Sequence, residues 1–279
     1  MAASALFFSV MALCVKLASR GEVPTMQIVF ARSLVMTGIT YGMLRRAGTS
    51  ALGTNRWLLL SRGVIGVSAL SLFYFAIGRL PLGDATAIFY IAPVWTALSA
   101  VFILRERTAR LVVAGMVVSL VGVALTAKPT FLFGDGLASL DGVAVLAALA
   151  ASVLSGVVYT IVRKLRETDG PLVIIFYLSW VGVLGPLPFA SPLIGEAWVW
   201  PSGWTWAWLL GAGLATQVGQ IALTKGLHLE KAGRATTVGY LQVAFAFVWG
   251  VLVFGTVPDA LSLAGAVLIC ASVLLVAKR

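Results

Sequence analysis

The chain has 279 residues, 60% of them hydrophobic and 11% charged, with a mean hydropathy of +1.02 and a formal net charge of +10. A water-soluble domain carries about 25% charged residues, so a chain this apolar has too little polar surface to stay in water, which excludes a soluble enzyme or binding module. The positive charge does not point to nucleic acid, because lysine and arginine sit in short clusters between apolar runs and form no stripe along a helix.

A helix needs about 20 apolar residues to cross about 30 Å of hydrocarbon. In chain order the runs predict spans at 2–15, 25–44, 57–77, 83–104 and 111–127, then at 142–162, 172–190, 204–224, 235–254 and 261–277. The first run lacks the basic flank of a signal peptide, since Met1 is followed by Ala2-Ala3-Ser4. It reads as a span whose cytoplasmic flank is either very short or lies outside this sequence. The longest polar gap falls at 128–141. It divides the chain into a five-span unit at 1–128, a periplasmic linker at 129–141 and a second five-span unit at 142–279. Cys14 and Cys270 both fall inside apolar runs and read as free buried thiols, with no metal and no cofactor implied.

Loop charge sets the orientation. Fourteen basic residues lie in alternate loops: Arg45, Arg46, Arg56, Arg105, Arg107, Arg110, Arg163, Lys164, Arg166, Lys225, Lys231, Arg234, Lys278 and Arg279. The opposite loops hold Lys16, Arg20, Arg79 and Lys128, while Arg32 and Arg62 lie inside spans. The positive-inside rule then predicts both termini in the cytoplasm.

The halves repeat. Residues 83–93 read GDATAIFYIAP and residues 233–243 read GRATTVGYLQV, so Gly83, Ala85, Thr86 and Tyr90 meet Gly233, Ala235, Thr236 and Tyr240 at an offset of 150. The register continues through Ala114-Gly115 and Ala264-Gly265. A repeat with an odd number of spans must insert with opposite topology, a carrier architecture in which two halves meet around a midplane site. The fold class expected is an all-α membrane protein of ten transmembrane helices in two inverted five-helix repeats.

On these residues the chain resembles a known family. The stretch 75–125, with Ala76, Pro81, Pro93, Leu104, Glu106 and Gly115, resembles the EamA-type repeat of the drug/metabolite transporter superfamily. Lys16 and Arg32 fit the same pattern. The second half departs from it, with Gln242-Val243 at the proline position and Thr256 where Glu106 stands in the first half. Within the superfamily, the tryptophans, tyrosines and glutamines look most like the YddG-type exporters of aromatic and other neutral amino acids. The resemblance implies a bacterial inner-membrane protein that works by alternating access, is no enzyme, and stands as a monomer or weak homodimer among membrane lipids.

Several residues carry the candidate chemistry. Tyr90 and Tyr240 each follow a threonine, Thr86 or Thr236, by four residues, so phenol and hydroxyl share a helix face. About seven residues at 1.5 Å each put both rings about 10 Å deep from opposite sides. They either contact a substrate or bridge helices. Gln217 and Gln220, with Thr224, share one face of span eight, and an amide both donates to a carboxylate and accepts from an ammonium. Gln242 is a weaker case of the same kind. Trp95, Trp180 and Trp249 either line an apolar pocket or pack against neighbours or lipid. Pro93 is a hinge candidate. Arg32 either attracts a carboxylate or snorkels with Arg62 to the interface, the two arginines entering from opposite sides; snorkelling is the simpler reading. All ten acids fall in loops or at span ends, which speaks against a cationic drug and against proton coupling. His228, the only histidine, falls in a loop.

The reading is a facilitative exporter of small neutral metabolites, most of all amino acids. The alternatives are a sugar-phosphate or nucleotide-sugar exchanger, and an intramembrane enzyme or lipid flippase.

Overall fold

The computed structural model describes residues 1–106, 108–134, 140–190, 197–255 and 259–277. The expectations placed on Arg107, Asp135, Glu196, Thr256, Lys278 and Arg279 lie outside them. Every regular element among the described residues is helical: α1 (Ala2–Ser19), α2 (Thr25–Arg46), α3 (Arg56–Arg79), α4 (Leu82–Phe89), α5 (Ala92–Ile103), α6 (Arg110–Ala127), α7 (Thr130–Phe133), α8 (Gly142–Leu165), α9 (Pro171–Leu184), a 3₁₀ turn at Leu187–Ala190, α10 (Thr205–Leu229), α11 (Ala232–Val238), α12 (Leu241–Phe254) and α13 (Ala260–Ala277).

Local chemistry sets several boundaries. The Asn55 side chain accepts from Leu58 N–H at the start of α3, and Asp141 accepts from Val143 N–H and Ala144 N–H at the start of α8. Lys128 ends α6 in the left-handed region, with Pro129 next to stop continuation, and Gly255 ends α12 in the same conformation.

Six helical stretches are long and apolar enough to cross a membrane: Ala2–Ser19, Arg56–Ile77, Asp84–Ile103, Arg110–Ala127, Gly142–Leu165 and Ala232–Phe254. Helices α2 and α10 have spanning length, at 22 and 25 residues, but carry Arg32 and Gln217 with Gln220 in their middle stretches. Leu98, Val117, Leu146, Leu214, Leu252 and Leu263 point outward, a surface suited to lipid and unsuited to water.

In lipid, helices gain little by hiding apolar surface, so close packing of small residues holds them together. On α6 and α13 the contacts pair Gly115 with Val276, Ser119 with Ser272, Gly122 with Ile269 and Thr126 with Gly265, an antiparallel register. A Cβ on Gly265 would stand 2.6 Å from the Gly122 carbonyl, so only glycine permits this crossing. Helix α1 runs antiparallel to α10, where Gly211, Gly219 and Gly226 face Cys14, Phe8 and Met1. Helix α3 packs along α8, as α10 does along α1.

The helix ends form two faces. On one, the basic loops are stitched together: Asp169 accepts from Thr54 and Asn55 N–H, and Glu106 pairs with Arg163 and accepts from Ala232 N–H. On the other, Asp84 takes hydrogen bonds from the Thr130 hydroxyl and Phe131 N–H, and Lys128 pairs with Asp259. Hydrogen bonds from Lys128 and Ser262 hold the Asp259 carboxyl well below the usual carboxylate range. His228, expected in a loop, instead lies in the last turn of α10, where its carbonyl accepts from Arg163 and Arg166.

Two spans expected to be continuous are broken. Helix α4 ends before Tyr90 and α5 begins after Ile91; α11 ends before Gly239 and α12 begins after Tyr240. The breaks stand 150 residues apart in the repeat register. Pro93, expected to kink a continuous span, sits in the first turn of α5, where its missing N–H costs nothing.

Candidate functional site

A cavity of about 670 Å³ lies between α1, α2, α3, α4, α8, α9, α10 and α12. Its rim includes the exposed residues Lys16, Ser19 and Thr25, so it opens on the face opposite the basic loops. A second, smaller chamber of about 60 Å³ lies towards the basic face, lined by Ser4, Ala5, Pro93, Leu223, Thr236 and Gly239 among others. Phe8, Phe89, Tyr90, Tyr159 and Gln242 line both volumes. These five side chains form the partition between them, at the level where α4 and α11 break off.

The wall of the larger cavity is aromatic. Phe73 stacks on Phe89 at 4.1 Å between ring centroids, Tyr90 meets Phe89 edge-on, and Trp249 donates its indole N–H to the Ser9 hydroxyl at 2.9 Å. At the mouth, the Lys16 ammonium lies 4.3 Å from the centre of the Phe254 ring and Arg20 4.8 Å.

The floor is polar. Arg62 is 3% exposed and reaches Gln220 Oε1 with Nη2 at 3.5 Å, while its Nε has no hydrogen-bond partner among the described residues. Its guanidinium extends forward along α3 over Gly66, filling the space a Cβ there would need. Ten residues at about 1.5 Å each separate Gly66 from the start of α3, putting the charge about 15 Å in, near mid-membrane. The expectation that Arg62 snorkels to the interface is therefore corrected: its head is turned inward, held in a slot that only glycine leaves open. Arg32 lines the same cavity, with Nη1 3.9 Å from Met11 Sδ and a buried Nε that also lacks a partner. The two arginines, expected on opposite sides, share one chamber.

The structure sorts the other expected residues. Thr86, Tyr90, Gln220 and Gln242 line the large cavity. Pro93 and Thr236 line the small chamber, although the Thr236 hydroxyl is spent on the Ala232 carbonyl of its own helix. Tyr240 is 0% exposed and packs behind Tyr90, ring centroids 6.1 Å apart. Gln217 turns away from both cavities, because its Oε1 accepts from the Thr40 hydroxyl of α2. Trp95 presses on α8, where Gly156 makes room for its Cβ, and Trp180 is 45% exposed on the outer surface. Neither lines either of these two cavities. Trp249, expected in an apolar pocket or at lipid, lines the large cavity. The residues missed by the sequence reading are Tyr159, Phe73 and, above all, Arg62 as a site residue; its depth within the span was the available signal.

On the basic face, Arg163 binds Glu106 through Nε at 3.0 Å and Nη2 at 2.9 Å, and donates to the Leu227 and His228 carbonyls at the end of α10. Glu106 in turn accepts from Ala232 N–H at the start of α11. Four segments are thereby tied together below the small chamber: the stretch after α5, and the neighbouring ends of α8, α10 and α11.

A multi-pass helical membrane protein with a central cavity open on one face and tied together on the other has the build of a carrier. The chain belongs to the EamA-like transporter family, which it matches at residues 1–128 and 142–278. It is 33% identical over 263 residues to the pseudopaline exporter CntI of Pseudomonas aeruginosa, covering 94% of this chain and 89% of that protein. It is 30% identical over 279 residues to human solute carrier family 35 member G1, covering 96% of this chain and 75% of the other. Its fold matches a crystal structure at a TM-score of 0.81 with 20% identity, over 98% of this chain and 95% of the other.

Proposed function

We propose that this protein exports small amino-acid-type metabolites across the bacterial cell membrane by alternating access, with the basic face and both termini in the cytoplasm. The single observation that carries the reading is the cavity itself, which pairs a guanidinium and an amide, Arg62 and Gln220, with aromatic walls. That combination suits a carboxylate attached to an apolar body. A volume of about 670 Å³ also has room for cargo larger than one amino acid.

The ten spans are read as two inverted repeats, 1–128 and 142–279, joined by the linker 129–141. Three observations support this: the antiparallel register of α6 and α13, the exchange relation between the α3–α8 and α10–α1 pairs, and the two helix breaks 150 residues apart. Broken helices at matching positions of two repeats are where carriers of this architecture hold their cargo. The export direction is taken from the relatedness to an exporter.

The test is counterflow in proteoliposomes preloaded with phenylalanine, leucine, glutamate or glucose 6-phosphate. Accumulation of at least one labelled amino acid is expected. Exchange of glucose 6-phosphate with no amino acid moving would overturn the reading in favour of a sugar-phosphate exchanger.

A further inference from the structure

The charges around the cavity do not suit a net-neutral cargo. Lys16, Arg32 and Arg62 all line it, and no aspartate or glutamate does among the described residues. Lys16 is engaged with the Phe254 ring at the mouth. Arg32 and Arg62 lie deeper, on α2 and α3, each with a buried Nε that no described residue accepts from. A buried guanidinium is held in hydrocarbon surroundings by carboxylates or carbonyls; here the hydrogen-bonding contacts from described side chains are one thioether and one long amide, with the neutral Tyr159 phenol near Arg62. An ammonium, by contrast, would find only hydroxyls, amide oxygens and ring faces.

We propose that the cavity recognises a cargo with two carboxylates, one on Arg62 with Gln220 at the floor and the second on Arg32. The cargo is thus an acidic amino acid or a larger amino-dicarboxylate that crosses as a net anion. The planar fork of each guanidinium matches a carboxylate edge, and Gly66 fixes which way the deeper fork points. This assignment rests on the export reading of the same cavity and names the charge class of its substrate.

L-Glutamate and L-glutamine differ in little but one carboxylate, so they isolate the second charge. Ligand-induced thermal stabilisation of the purified full chain in detergent gives half-saturating concentrations for both, and for succinate and inorganic phosphate. L-Glutamate and succinate should half-saturate at no more than a tenth of the L-glutamine concentration. Arg32→Gln should bring the glutamate-to-glutamine ratio near one. Arg62→Gln should weaken L-glutamate and succinate at least tenfold, and Arg62→Lys should recover part of that loss. Equal binding of L-glutamate and L-glutamine by the parent, a ratio unchanged in Arg32→Gln, or phosphate binding more tightly than succinate would each overturn the dicarboxylate assignment. Uptake measured in parallel separates the two readings. Transport of leucine and glutamine without charge preference removes the arginine pair and leaves amino-acid export. Binding and transport of succinate with no amino acid moving removes amino-acid export and leaves the arginine pair.

Discussion

The guanidinium of Arg62 occupies the space that a side chain at Gly66 would need, one turn further along α3. Helical side chains ordinarily lean towards the preceding turn; this one runs the other way, carrying its charge towards mid-membrane. A methyl group at 66 must push the guanidinium out, and the far end of a flexible side chain yields at small cost. Gly66→Ala should therefore fold as well as the parent, since alanine favours helix by about 0.5–1 kcal/mol over glycine. Cargo binding should weaken by about 1–3 kcal/mol, the cost of a misplaced partner for a charged group. Thermal melting with and without cargo checks both halves: an unchanged midpoint without cargo and a lost cargo shift.

Gln217 and Gln220 stand three residues apart and should fail in different ways. Gln220 touches Arg62 and faces the cavity, so Gln220→Ala should cut transport while melting near the parent. Gln217 is 3% exposed and receives the Thr40 hydroxyl. Gln217→Ala should lower stability by about 1 kcal/mol, as for one buried hydrogen bond, and leave transport per folded molecule unchanged. The reverse pattern would move the site to the far side of α10.

That pair shows where the sequence was legible and where it was not. Helical spacing put both glutamines on one side of α10, but 60° of helix rotation separates cavity from interhelical contact, and only the position of α2 decides between them. The break at Tyr240 has Gly239 beside it but no proline: the second half carries Gln242-Val243 where Pro93 marks the first. The repeat register alone linked it to Tyr90. The apolar helices, the loop charges and the tyrosine correspondence were readable because each rests on short stretches of sequence. The inward turn of Arg62 was not, because it depends on a slot made by Gly66 and bordered by Leu178 of α9.

The Glu106–Arg163 cluster ties the basic face together, so weakening it should populate the opposite opening. Arg163 is 6% exposed along its side chain, and removing its carboxylate leaves a buried charge with two carbonyl partners. Glu106→Gln should shift the balance between the two openings by about 1–3 kcal/mol. With both native cysteines replaced, a cysteine at Leu223, on the small chamber, should then react about fivefold faster or more with a thiol reagent supplied from the basic side. Equal rates in the two backgrounds would mean that the cluster is no gate.

Orientation is open to a direct check. Trp200 is 86% exposed on the face opposite the basic loops. In intact cells, and in the same cysteine-free background, a cysteine at Trp200 should react with an impermeant reagent and one at Arg46 should be protected. The opposite labelling would invert the assignment of the basic face to the cytoplasm.

On the proposed reading, a dicarboxylate passes through the Arg62 cavity without a proton gradient. A membrane potential negative inside expels an anion with about 2.3 kcal/mol per charge per 100 mV, about fiftyfold in equilibrium concentration. A facilitator of anions is thereby an exporter. The decisive measurement is efflux of labelled L-glutamate from proteoliposomes at equal pH on both sides, with a potassium diffusion potential imposed. Efflux should accelerate when the interior is made negative and collapse in Arg62→Gln. Efflux that needs a pH gradient, or that proceeds unchanged in Arg62→Gln, would contradict that reading.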